Sequence, residues 1–299
     1  MKILLLGKNG QVGWELQRAL APLGELTALG RDGNNGLCGD LADLDGLRNT
    51  VRQLQPDVLV NAAAYTAVDK AESEQALALR INAQAPQLLA EEMQRLGGWL
   101  LHYSTDYVFD GGGSTPWRES DTVAPLNHYG LSKLQGEQGI QATGCRHLIF
   151  RTSCVYGTHG NNFAKTMLRL ARERDQLKVI DDQIGAPTGA ELLADVSAHA
   201  LRSALGNPAL AGIYHLAPAG ETSWYDYARF VIEQARANGE ALAVQSVEAI
   251  PTSAYPTPAR RPSNSRLDTR KLRECFELHL PHWQDGVSRM LKEVTGTQA

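Results

Sequence analysis

Cysteine is scarce in this chain, with four residues in 299, and Cys38, Cys145, Cys154 and Cys275 form no Cys-x-x-Cys pair. That excludes a disulfide scaffold and leaves reduced thiols in the cytosol as the expected state. Only His279 and His282 lie close together, and Pro281 between them breaks helical pairing, so no zinc site is expected. A basic excess is also missing. The 29 Lys and Arg face 33 Asp and Glu, for a formal charge of -4, which argues against a general nucleic-acid or membrane binder. An anionic small substrate would need a few placed Arg or Lys residues. Long apolar runs are absent too: residues 3–6 and 58–64 are far too short to span a bilayer. No basic-then-apolar leader opens the sequence, so a cytoplasmic protein is expected. There are no internal repeats.

What is present is the balance of an ordinary globular protein, 43% hydrophobic and 21% charged. The length fits one large domain or two that share a cleft. The pattern predicts a strand over 2–6, then Gly7-Lys-Asn-Gly10-Gln11-Val12-Gly13, then a helix carrying Val12, Leu16, Ala19 and Leu20. Glycines in that context allow a tight turn and close approach to a pyrophosphate, whose charge meets the helix N-terminus. A second strand, 25–29, ends at Gly30-Arg31. An acidic residue there would grip the ribose diol of NAD; the Arg31 guanidinium suits the 2′-phosphate of NADPH. A solvated loop arginine is the alternative, with NADH then usable. Asp40, followed by Leu41, could accept a bond from the adenine amine. Asp43 should cap a helix through Leu54. A third strand over 56–60 leads to Ala62, Ala63 and Ala64, small enough for a flat cofactor to lie against backbone, though alanines also simply pack. A helix over about 74–96 follows.

Strand four, 99–103, breaks into Ser104-Thr105-Asp106, and a helix then carries Tyr129 and Lys133. Four residues apart, these two share one helical face. An ammonium one turn away favours the phenolate and should lower the tyrosine pKa. Thr105, just past a strand end, can hydrogen-bond a carbonyl oxygen while Tyr129 passes it a proton. On those residues alone, a solvated Tyr and Lys would be the simpler reading. A fifth strand at 147–152 completes an alternation that predicts an α/β fold: a Rossmann-type, doubly wound parallel sheet over 1–156. Residues 157–299 should form mainly a smaller α/β substrate domain, with some segments returning to the sheet. There we expect an amphipathic helix bearing Phe163, Met167, Leu170 and Ala171, a sixth strand at 177–180, and further helices from about 187, 224 and 287. Four prolines between 251 and 262 predict a loop over the cleft.

The glycine turn, Ser104-Thr105 and Tyr129/Lys133, in that order, resemble the extended short-chain dehydrogenase/reductase family. The blocks Asn61 to Glu72, Ser104 to Phe109, Gly160 to Phe163, Asp182 to Thr188 and Pro256 to Pro262 are more narrowly similar to the dTDP-4-dehydrorhamnose reductases. The resemblance implies hydride transfer from NADPH or NADH to C4 of a dTDP-4-keto sugar, with Tyr129, Lys133 and Thr105 catalytic. It also places Thr105, Asp106 and Cys154 at the sugar; Cys154 stands where the family is expected to carry a tryptophan. Arg260 and Arg261 are candidates for the diphosphate, with Asn162 and Asn264 as polar partners, against a plain solvated basic loop. The same resemblance implies Mg²⁺ at a homodimer contact through Glu15, Glu191 and Glu293; three solvated glutamates far apart are the alternative. A sugar-nucleotide 4,6-dehydratase or epimerase of the same fold is a rival. The dehydratase pattern has Glu after the Thr-Asp pair, where this chain has Tyr107. A second rival is a non-catalytic binding subunit, such as the regulatory subunit of methionine adenosyltransferase.

Overall fold

The computed structural model describes residues 1–296; the last three residues of the expected substrate domain lie outside the described residues. Strands β1 (Lys2–Leu6), β2 (Glu25–Leu29), β3 (Val58–Asn61), β4 (Trp99–Thr105) and β5 (Arg146–Thr152) belong to one parallel sheet. Strand β6 (Gln176–Ile180) does not join it. The sixth position is taken by β7 (Gly212–His215), parallel to β5, giving the order β7-β5-β4-β3-β1-β2. The strand expected at 177–180 is present as β6, and it pairs with β8 (Ser246–Ile250) in a separate two-stranded parallel sheet. Its alternating exposed and buried residues suit a sheet with one solvated face, whereas Ile213 to His215 can be covered on both.

Both faces of the main sheet are apolar because both are covered. Ile3, Leu5, Val58, Val60, Leu101 and Phe150 meet Leu16 and Leu20 of α1 (Gln11–Leu20) and Leu193 and Leu201 of the helix Ala190–Gly206. The alternate residues Leu4, Leu6, Leu59, Leu100 and Ile149 meet Leu47 and Val51 of α2 (Leu44–Leu54) and Leu88, Leu89 and Met93 of α3 (Ala85–Leu96). Leu5 is fully buried; its truncation to Ala would cost roughly 2–5 kcal/mol. Helix α2 starts on the expected cap, with Asp43 Oδ1 accepting from Gly46 N at 2.9 Å. A further apolar cluster, with Tyr156, Met167, Tyr227, Val231, Trp283 and Val287, lies in the chain after β5.

The strand order reverses where β1 sits between β2 and β3, and open parallel sheets bind ligands at such a point, beyond the carboxyl ends of the strands. Just ahead of α3 the helix widens into a π turn, Arg80–Gln84. That turn buries Asn82, whose Oδ1 accepts from Tyr65 N (2.8 Å) and whose Nδ2 donates to Tyr65 O (3.0 Å) and Ser132 Oγ (3.0 Å). One amide thus ties the end of the alanine segment to α4 (His128–Ala142), the helix carrying Tyr129 and Lys133.

Candidate active site

A cleft of about 980 Å³ runs along the carboxyl ends of the strands. At one end lies the glycine turn. Gly7 has φ +90°, and a Cβ there would stand 2.7 Å from Ala63 N; one on Gly13 would stand 2.0 Å from Gly7 O. Any side chain at these positions would push apart the first helix, the first turn and the alanine segment. Gly10 begins α1 with no side-chain cap, so the first helical amides are left for a ligand. Gln11 and Val12 line the cleft, as do Arg31, Asp40, Leu41, Ala62, Ala63 and Ala64. An uncapped helix start over a cradle that no Cβ could enter fits a dinucleotide pyrophosphate.

At the far end Thr105, Asp106, Tyr129, Lys133 and Cys154 line the same cleft. Asn127 Oδ1 caps α4 by accepting from Gly130 N at 2.8 Å, and β4 delivers Thr105. The Thr105 hydroxyl donates to Asp106 Oδ1 at 3.0 Å and accepts from Tyr107 N at 3.1 Å. Burial pushes the Asp106 carboxyl up to about 6, while hydrogen bonds with Ser265 and Thr105 pull it down. Desolvation, followed by the charge of Asp106, pushes the Tyr129 phenol up to about 12 against a hydrogen bond with Thr105. The sequence expectation that Lys133 lowers this pKa is therefore corrected. The lysine spends its contacts elsewhere: Nζ donates to Tyr103 O at 2.6 Å and lies 3.2 Å from His102 Nε2. Lys133 is itself 2% exposed, and desolvation brings it down to about 8, opposed by Glu137.

Four expected substrate contacts, Asn162, Arg260, Arg261 and Asn264, do not line the cleft. Asn162 caps the helix Phe163–Glu173, accepting from Lys165 N, and donates to Gln11 Oε1 and Gly157 O. Asn264 is buried, with Nδ2 on Gly112 O and Thr115 O and Oδ1 accepting from Arg266. Arg260 is exposed, and its carbonyl accepts from Asn127. Buried polar groups need partners, and here the protein supplies them all for the two asparagines. Arg261 pairs with Asp69 Oδ2 at 2.8 Å, but its buried Nη1 has no partner. The sequence reading missed Tyr107, Gln183, Trp224, Tyr227 and Ser265, which also line the cleft. Gln183 sits inside the quoted block 182–188, a signal that could have drawn it in.

The three glutamates expected at a metal lie in one neighbourhood, since Glu293 and Glu15 both raise the Glu191 carboxyl, after burial as the main cause. Arginines neutralise them: Arg18 stands 3.4 Å from Glu15, and Arg289 3.5 Å from Glu191 and 3.4 Å from Glu293. Among the described residues no three acidic, histidine or cysteine side chains are placed to hold a metal ion. One chain by itself does not fit Mg²⁺, and no step is routed through it. Nor is any described helix long and apolar enough to cross a membrane.

Similarity over the whole length accords with this geometry. The RmlD substrate binding domain family matches residues 1–296. The dTDP-4-dehydrorhamnose reductase of Escherichia coli K12 is 58% identical, covering all of both chains. Crystal structures of such reductases from Clostridium acetobutylicum and, in complex with NADP, Bacillus anthracis are each 33% identical. Their TM-scores are 0.88 and 0.87, and each alignment covers 98% of this chain and 99% of the other. With its full described length matched and its strand-end cleft in place, the chain belongs to the RmlD family of the Rossmann-type sugar-nucleotide oxidoreductases.

Proposed function

We propose that this chain reduces dTDP-4-dehydro-L-rhamnose to dTDP-L-rhamnose with NADPH, the final step of dTDP-rhamnose formation. The observation that carries this is the convergence of Thr105, Tyr129 and Lys133 on one cleft with the uncapped start of α1. When bound, the nicotinamide cofactor supplies a hydride to C4. The turn at Gly7, Gly10 and Gly13, with Gln11 and Val12, would hold its pyrophosphate. Asp40 and Leu41 would meet the adenine, Ala62 to Ala64 its flat face, and Lys133 the ribose next to the nicotinamide. Arg31 lines the cleft, which supports a 2′-phosphate and hence NADPH over NADH.

Thr105 orients the ketone, and Tyr129 delivers the proton to the new alkoxide oxygen. A phenol held near 12 is fully protonated at neutral pH, which is the state a reduction requires of its acid. Thr105 needs its hydrogen for the substrate, so Asp106 must yield the bond it now accepts. A carboxyl near 6 can do this by taking up a proton. Asp106, Cys154 and Trp224 would surround the sugar, and the unpartnered Nη1 makes Arg261 the better diphosphate candidate of the arginine pair. We take residues 1–156 as the cofactor half and most of 157–299 as the substrate half, with β7 among the returning segments.

The test is oxidation of NADPH, followed by absorbance, on adding dTDP-4-dehydro-L-rhamnose. Stoichiometric conversion to dTDP-L-rhamnose is expected; sugar-nucleotide binding with no oxidation would make the chain a binding subunit. All four cysteines are free thiols, which supports a cytoplasmic setting. A homodimer is expected as well, and sedimentation with EDTA and with added Mg²⁺ should give one dimer fraction, because Arg18 and Arg289 already neutralise the three glutamates. A dimer lost in EDTA would show that a second chain completes a metal site.

A further inference from the structure

We propose that His102 is the positioning residue for Lys133, taking one of its three ammonium hydrogens and keeping the buried Nζ charged at the cleft. The proposal rests on the reading of Lys133 as the residue that serves the cofactor ribose and the proton path. Leu100 and Leu101 beside it on β4 are apolar, as a strand covered on both faces demands. A histidine 1% exposed in that setting needs partners on both ring nitrogens. It has them: Nε2 lies 3.2 Å from Lys133 Nζ, and Nδ1 lies 3.2 Å from Asn61 Nδ2. Asn61, also 1% exposed, is steadied by Ala63 N, which donates to Oδ1 at 3.2 Å.

Burial first, and the Lys133 charge second, keep the ring neutral. A neutral imidazole has one acceptor nitrogen. While Lys133 is an ammonium, that acceptor is Nε2; Nδ1 then carries the hydrogen and the Asn61 amide turns its oxygen toward it, giving up the bond from Ala63 N. When Lys133 loses a proton, Nε2–H donates to the amine and Asn61 Nδ2 donates to Nδ1. In both states His102 keeps a partner on each ring nitrogen, so the ring and the Asn61 amide follow the charge of the lysine. With Tyr103 O taking a second hydrogen, one is left for the cleft. The other charged or titratable groups around Lys133 are accounted for. Glu137, one turn on, is held bidentately by Arg151 of β5 at 2.9 and 2.6 Å. Tyr129 lies one turn back, Asp106 follows β4, and the π turn contributes the uncharged Asn82 through Ser132.

The experiment measures kcat against pH, with NADPH and dTDP-4-dehydro-L-rhamnose, in full-length His102→Leu, His102→Asn and His102→Gln, with Lys133→Met beside them. Glutamine can place its Oε1 where Nε2 now accepts; asparagine is polar but too short. Leu and Asn should each lose roughly tenfold or more in kcat, the scale of a hydrogen bond to a charged group. Sugar KM should barely move, and the alkaline limb of kcat should shift to lower pH by about one unit. Gln should recover most of the rate and restore the limb. The Asn and Gln pair decides the matter even if Leu does not fold. A pH-independent loss, or a Gln variant no better than Asn, would overturn the positioning role. Normal activity in His102→Leu with Lys133→Met inactive would also overturn it while leaving the lysine assignment intact. Activity in Lys133→Met would instead remove the reading on which the proposal rests.

Discussion

The two ends of the cleft are built on different physics. Around Gly7 and Gly13 the site is backbone against backbone, with distances that no side chain could share. Around Thr105, Tyr129 and Lys133 it is side chain against side chain, with buried groups whose proton affinities are moved by desolvation and by one another. The first end answers to changes in volume and the second to changes in charge. A cofactor's pyrophosphate needs only amides and a helix start, whereas proton delivery needs groups tuned against their ordinary pKa values.

The sharpest way to break that contrast is Gly13→Val. With a Cβ at 2.0 Å from Gly7 O, the turn must open, and NADPH binding measured by fluorescence titration should vanish with activity. Retained affinity would mean that the turn does not hold the cofactor. At the other end Lys133→Met keeps the volume and removes the charge. It should cost roughly a hundredfold or more in kcat together with cofactor affinity, and a fall in affinity alone would confine the lysine to binding.

This division also explains what could be read from the sequence. The glycine turn was legible because steric demands act between neighbours in the chain, and Tyr129 with Lys133 because a helix brings i and i+4 together. The pKa direction of Tyr129 was not legible, since it depends on burial and on Asp106 rather than on the lysine one turn away. Asn162 and Asn264 read as free polar groups, but their partners, Gln11 and Thr115, come from about 150 residues away in the chain. The strand at 177–180 was legible, but the sheet it joins was not. Gln176–Ile180 and Gly212–His215 are both short apolar stretches, and only the pairing partner tells them apart.

A smaller effect sharpens the charge side. Asp106→Asn removes a buried carboxyl whose pKa stands raised to about 6 from 3.8. A raised carboxyl stabilises the fold only while protonated, so the wild-type chain loses this contribution as pH rises through the folded pKa. The variant should therefore melt higher near pH 7.5, by at most about 3 kcal/mol of stability. Near pH 4 the two should melt together. Equal melting at both would show that burial does not raise the carboxyl pKa. Smallest is Arg31→Ala, expected to weaken NADPH roughly tenfold and leave NADH nearly unchanged. Equal losses would reduce Arg31 to a loop residue.

The central claim, that Tyr129 is the proton donor at a site whose cofactor end works independently, is tested most directly by Tyr129→Phe. The variant keeps the ring, its edge contact with Tyr107 at 5.8 Å and the whole glycine cradle, and loses one hydroxyl. NADPH titration should give the wild-type affinity, while turnover of dTDP-4-dehydro-L-rhamnose falls by roughly a thousandfold. Turnover within a few-fold of wild type, with affinity unchanged, would contradict the account and move the proton to another group.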